Sequence, residues 1–124
     1  SVKLSELFIG IGPFVIGAVV KRKIGLANFS SLAINSSQWK DSDWARSSGM
    51  FNEIVLDRLE LDNRTSSLIS ELVTYSPDAM LRTKEMFWEG SDNLESIMKD
   101  KAKQSGALLL SSFTKQKLNS FKSK

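Results

Sequence analysis

The stretch LSELFIGIGP at residues 4–13 places a single carboxylate, Glu6, inside an apolar run that leads directly into a glycine-proline turn. Moving an unpaired polar group into apolar surroundings costs on the order of 2–7 kcal/mol, and moving a charge costs more. A carboxylate in such a run is therefore solvated, paired, or used as an acid or a base. On this argument alone, a Glu6 that simply points to water remains an open alternative.

The residues after this turn predict two helices separated by a glycine. Pro13 suits the first position of a helix, where its missing N–H is not needed, and Lys21-Arg22-Lys23 suits the last turn. Gly25 suits the C-terminal cap of this first helix. A second helix is predicted over residues 26–35. Asp41 is the expected N-cap of a further short helix, and residues 51–56 are the best strand candidate.

From residue 57 onward the pattern is helical. Apolar residues recur at helical spacing over 68–73, and Ser76-Pro77 starts another helix that runs to about Trp88. A long final helix is predicted from Leu94 to Phe113, followed by a fraying tail with Lys115, Lys117, Lys122 and Lys124. We therefore predict a mainly α-helical chain with at most two short strands, near residues 38–40 and 51–56. The three tryptophans are interpreted as packing anchors: Trp39, Trp44 and Trp88.

Composition excludes several classes of protein. The 124 residues contain neither Cys nor His, which excludes disulfides, thiol nucleophiles and His-containing catalytic triads within the sequence, and we predict no metal site. A net charge of +3, with acidic residues interleaved among the basic ones, argues against nucleic-acid binding. The apolar run over 7–20 is shorter than the roughly 20 residues of a spanning helix, and its basic residues follow it, unlike those of a signal peptide. We predict a cytoplasmic protein with no membrane contact.

The order of several motifs resembles the enoyl-CoA hydratase/isomerase (crotonase) superfamily. Glu6 before Gly10-Ile11-Gly12-Pro13, and a helix closing on Lys23-Ile24-Gly25, are similar to that family's second catalytic glutamate and its turn. Further resemblances lie at residues 32–45, 48–55, 75–79 and 84–90. They cover almost the whole chain, whereas family members are about twice as long. We therefore expect a fragment, the C-terminal half of such a protein, and a start at Ser1 without Met fits this expectation.

The resemblance implies a fold and a chemistry. The fold would be the C-terminal part of the α/β crotonase (ClpP/crotonase-like) fold. Residues 1–56 would end its spiral core, and residues 57–124 would form a helical trimerisation subdomain of a trimer or a dimer of trimers. Glu6 would act as a catalytic acid or base on a 2-enoyl-CoA thioester in fatty acid metabolism, a lyase or isomerase reaction. No cofactor is implied beyond the coenzyme A of the acyl-CoA substrate.

The resemblance also implies substrate-binding residues. The thioester chain would pass close to the backbone at Gly10, Gly12 and Pro13. Phe87 would lie near the adenine of coenzyme A, and Lys117 near its phosphates, with Lys115 as the alternative register. The residues alone leave other interpretations open. The turn could equally be an ordinary strand-to-helix turn. Phe87 could be a core residue, and the two lysines could be solvated. The family more often has Pro where this chain has Ser5.

Other functions stay open at this point. In the family, the other catalytic glutamate and the N–H donors of the oxyanion hole lie upstream, so we expect this chain alone to be inactive. Alternatives are another crotonase-type reaction (decarboxylation, thioester hydrolysis or dehalogenation) and a non-catalytic helical assembly module. We also expect copies of the chain to associate, because six apolar residues would otherwise face water: Phe14, Val15, Ile16, Val19, Phe29 and Leu32.

Overall fold

The structure, a computed structural model, describes residues 1–122, and its described part is mainly helical. A short 3₁₀ turn at Leu7–Ile9 comes first. The α-helices of these residues are α1 (Phe14–Ile34), α2 (Ser42–Ser47), α3 (Arg58–Leu72), α4 (Pro77–Trp88), α5 (Leu94–Leu109) and α6 (Ser112–Lys122). The mainly α-helical prediction is confirmed. Of the helices in this part of the chain, none is both long and apolar enough to cross a membrane.

The chain packs as two units. The terminal unit consists of residues 1–52 and 94–122, and the central unit of residues 53–93. The predicted division at residue 57 concerned the roles of a spiral core and a trimerisation subdomain, and it stays a prediction.

The terminal unit is organised by a bend in α1, which packs against α5. Gly25 lies at the bend with φ +75° and ψ 163°, a conformation that is essentially restricted to glycine. The bend separates the two predicted helices. The first half buries Gly17 and Ile24, and the second half buries Leu32. Across the bend, the ring of Phe29 lies 2.8 Å from where a Cβ on Gly17 would stand. The two halves of α1 therefore pack on each other as well as on α5.

The central unit has almost no interior. None of its residues is buried, and only Val55, Leu72, Met80 and Ser91 are half-buried. Its helices are held by local interactions instead. Asp57 caps α3 by accepting a hydrogen bond of 2.8 Å from the N–H of Glu60, and the guanidinium of Arg64 pairs with Glu53. The apolar residues of this unit are consequently exposed to water.

Two predicted elements are wrong. Residues 51–56 form an irregular segment rather than a strand, because no neighbouring strand in the described chain pairs with them. The extended pairing that residues 1–122 do contain is one isolated antiparallel bridge. In it the N–H of Val2 donates to the carbonyl of Lys40 at 2.8 Å, and the N–H of Lys40 donates back at 2.9 Å.

The predicted long final helix is also wrong, because it is interrupted at residues 110 and 111. The side chain of Ser111 accepts a hydrogen bond of 3.2 Å from the N–H of Thr114 and so starts α6 as a new helix. The expected frayed tail is instead helical as far as Lys122. Lys124 lies outside the described residues.

Burial corrects two further expectations. Leu32 does not face water, since only 1% of its surface is exposed. Four others are half-buried: Phe14, Val15, Val19 and Phe29. Ile16 is exposed, as expected. Trp39 and Trp88 are not packing anchors, because each exposes more than half of its surface.

Candidate functional site

Glu6 opens a tight turn whose geometry comes from its backbone. The N–H of Ile11 donates to the carbonyl of Glu6 at 2.9 Å, and the N–H of Gly10 donates to the carbonyl of Leu7 at 3.1 Å. This pair of bonds is the Schellman pattern that ends helical turns, and Gly10 supplies the left-handed residue that the pattern needs, with φ +89°. The turn therefore fixes the backbone of Glu6, while its half-buried side chain remains partly open to solvent.

The second half of the motif turns the chain into α1. The N–H of Phe14 donates to the carbonyl of Gly12 at 2.8 Å, with Pro13 between them at φ −75° and ψ 51°. This is an inverse γ-turn. The carbonyl of Pro13 then accepts the first helical hydrogen bond, from Gly17 at 2.9 Å. Pro13 is thus the residue that caps α1, one position before the predicted one.

Helix α6 closes over the Glu6 turn. Thr114 is completely buried, and its hydroxyl donates a hydrogen bond of 3.3 Å to the carbonyl of Gly10. The hydroxyl of Ser111 in turn donates to the Thr114 oxygen at 3.1 Å. A Cβ on Gly10 would stand 2.6 Å from the Thr114 hydroxyl and from the ring of Phe113. Residues more than 100 positions apart in the chain therefore fit together without room for a side chain at Gly10.

A cation lies on the same turn. The ammonium of Lys117 stands 4.3 Å from the ring centre of Phe8, within the range of a cation–π interaction. The centre of the Phe121 ring lies 6.1 Å from that of the Phe8 ring. The structure thus brings Lys117 to the turn that begins at Glu6.

The predicted site residues divide between the two units. Glu6, Gly10, Gly12, Pro13 and Lys117 belong to the terminal unit, where one turn and one helix hold them. Phe87 belongs to α4 of the central unit and exposes 61% of its surface, so the core interpretation of this residue is wrong.

Sequence reasoning missed Ser111, Thr114 and the contact between Phe8 and Lys117. Ser111 is a residue type that is strongly preferred at the N-cap of a helix. That signal could have revealed the break before α6. No pattern in the sequence relates Thr114 to Gly10 or Lys117 to Phe8, because both contacts join distant segments.

The groups gathered here define what the site can do. Glu6 offers one carboxylate for proton exchange, and Lys117 offers one cation for an anionic group. The residues described by the structure contain no cluster of three carboxylates that could hold a metal ion.

A concave surface lies in the central unit, between α3 and α4. It is an open groove of about 510 Å³. The hydroxyl of Tyr75 on its edge donates a hydrogen bond of 2.5 Å to Glu71. That bond, together with the negative charge of Glu71, raises the pKa of Tyr75 above its ordinary value. The lining is otherwise mostly apolar: Ile69, Leu72, Val73, Pro77, Met80, Leu81 and Lys84.

Comparison with protein-family models, with curated proteins and with solved structures finds no match to this chain.

Proposed function

We propose that this chain carries one acid/base glutamate and the C-terminal helices of an enoyl-CoA hydratase/isomerase acting on 2-enoyl-CoA thioesters, and that the enzyme is a homo-oligomer. The observation that carries the proposal is the placement of Glu6. Its backbone is fixed by a glycine turn, the turn is backed by α6, and a lysine lies against it. The motif resemblance supplies the reaction class.

In this proposal, the Glu6 carboxyl group exchanges the proton at the α-carbon of the thioester while water is added or removed across the C2=C3 bond. Positioned proton transfer of this kind contributes about 10²–10⁴-fold to a rate. The Lys117 ammonium pairs with a phosphate of coenzyme A, whereas the space beside Gly10 is already filled by Phe113 and Thr114. The second glutamate and the oxyanion donors come from residues outside these 124.

The test replaces the carboxyl group by an amide of the same shape. In the protein that also contains the upstream half, Glu6→Gln should lower kcat for the hydration of crotonyl-CoA by about 10²–10⁴-fold. Binding of the acyl-CoA should persist, because the amide keeps the size of the side chain. The 124-residue chain alone should show no turnover.

Glu95→Gln is the matched control, since Glu95 is a solvent-exposed glutamate of the same unit that pairs with Lys99 on α5. It should leave kcat unchanged. Turnover close to that of the wild type in Glu6→Gln would remove Glu6 from the mechanism. If the wild-type protein does not bind acyl-CoA, the proposed substrate class is rejected as well.

Two alternatives remain as proposals. Another crotonase-type reaction on acyl-CoA would use the same Glu6 turn, and analysis of the product formed from each thioester separates it from hydration. A non-catalytic assembly module is favoured by one observation, the absence of buried residues in the central unit. That alternative predicts association of copies with no affinity for acyl-CoA.

A further inference from the structure

We draw no further inference here: the strongest candidate, the open apolar groove between α3 and α4 edged by Tyr75 and lined by Met80 and Leu81, carries nothing because nothing in the structure shows what covers it, and association of copies through it would restate the oligomer that the proposed function already contains.

Discussion

At the scale of single residues, Gly10 and Gly106 show how differently two glycines can be constrained. Gly10 has a positive φ, and the atoms of Phe113 and Thr114 already occupy the place of a Cβ. Gly106 lies in the middle of α5, where a Cβ would meet nothing within 4 Å. Glycine is therefore required at the first position, whereas at the second it only weakens the helix.

Alanine at these two positions should act in opposite directions. Gly10→Ala should destabilise the terminal unit by about 2 kcal/mol or more, since a left-handed non-glycine residue alone costs roughly 1–2 kcal/mol. Gly106→Ala should stabilise it by roughly 0.5–1 kcal/mol. Urea unfolding followed by circular dichroism measures both effects. Equal changes in the free energy of unfolding for the two variants would contradict the close packing of α6 against Gly10.

Tyr75 offers a direct measurement of one side-chain interaction, because it is the single tyrosine of the sequence. Its hydrogen bond to Glu71 and the charge of that residue raise its pKa above the ordinary value of 10.0. The stabilisation of the folded state that corresponds to this raised pKa is fully present below the ordinary pKa of tyrosine. It is lost as the pH rises through the higher pKa of the folded state.

We expect the tyrosinate absorbance of the folded chain to appear at higher pH than that of the urea-unfolded chain. Glu71→Ala should move the folded transition back toward the unfolded one, because the acceptor and its charge are both removed. Glu85→Ala is the control, since Glu85 pairs with Arg82 on α4 instead. A transition that Glu71→Ala leaves in place would show that the Tyr75–Glu71 bond does not form in solution.

At the scale of elements, α6 depends on contacts at its first turn. Ser111 caps it, and Thr114 connects that turn to the carbonyl of Gly10 while being completely buried. The bond to Gly10 is only partly buried, and a fully buried acceptor that loses its donor costs about 1–3 kcal/mol. The hydroxyl of Thr114 therefore adds a hydrogen bond to the contacts that Phe113, Lys117 and Phe121 make with the same turn.

Thr114→Val keeps the shape of the side chain and removes the hydroxyl, so it should lower the free energy of unfolding by about 1–3 kcal/mol. Thr83→Val is the matched control. Thr83 lies on an exposed face of α4, and its hydroxyl bonds to the carbonyl of Ala79 within the helix, so we expect a change within about 0.5 kcal/mol. Chemical unfolding of both variants tests this. Similar small losses would mean that the Thr114 bond contributes little.

At the scale of the whole molecule, the central unit exposes large apolar side chains while burying no residue of its own. Leu56 exposes 96% of its surface, Val73 76% and Leu59 70%. Folding a segment costs roughly 1–2 kcal/mol of backbone entropy per residue, and burial of apolar area is the main term that offsets it. A unit that buries no residue does not recover that cost from its own contacts, so its helices are expected to gain stability from a partner surface.

We predict that the chain self-associates at micromolar concentration. Leu81→Asp, which places a charge in the α3–α4 groove, should weaken the association by about tenfold or more, since a charge within an apolar contact is costly. Leu56→Asp is the control, because Leu56 lies in the same unit outside the lining of the groove. Sedimentation equilibrium provides the measurement. A compact wild-type monomer would refute the prediction, and equal weakening by both variants would assign the contact to another surface.

Local chemistry explains which predictions held. Gly25 ends one helix and begins another because no other residue tolerates its conformation. Asp41 and Ser76 cap their helices through side-chain oxygens within three residues, as predicted. Such signals act over a single turn, so they can be recognised without knowing the fold. The strand at residues 51–56 failed because a strand needs a partner, which the sequence of the segment does not specify.

The sequence by itself determined the mainly helical class, the break at Gly25, the caps and the position of Glu6 at the entrance of a glycine-proline turn. The tertiary structure decided which of these features meet. It joined Gly10 to Thr114 and Phe8 to Lys117, packed α1 on α5, and left Phe87 exposed on a separate unit. The physical reason is the distance along the sequence over which each interaction acts. Caps and glycine conformations are fixed by neighbours along the chain, whereas burial and long-range hydrogen bonds depend on which surfaces the folded chain brings into contact.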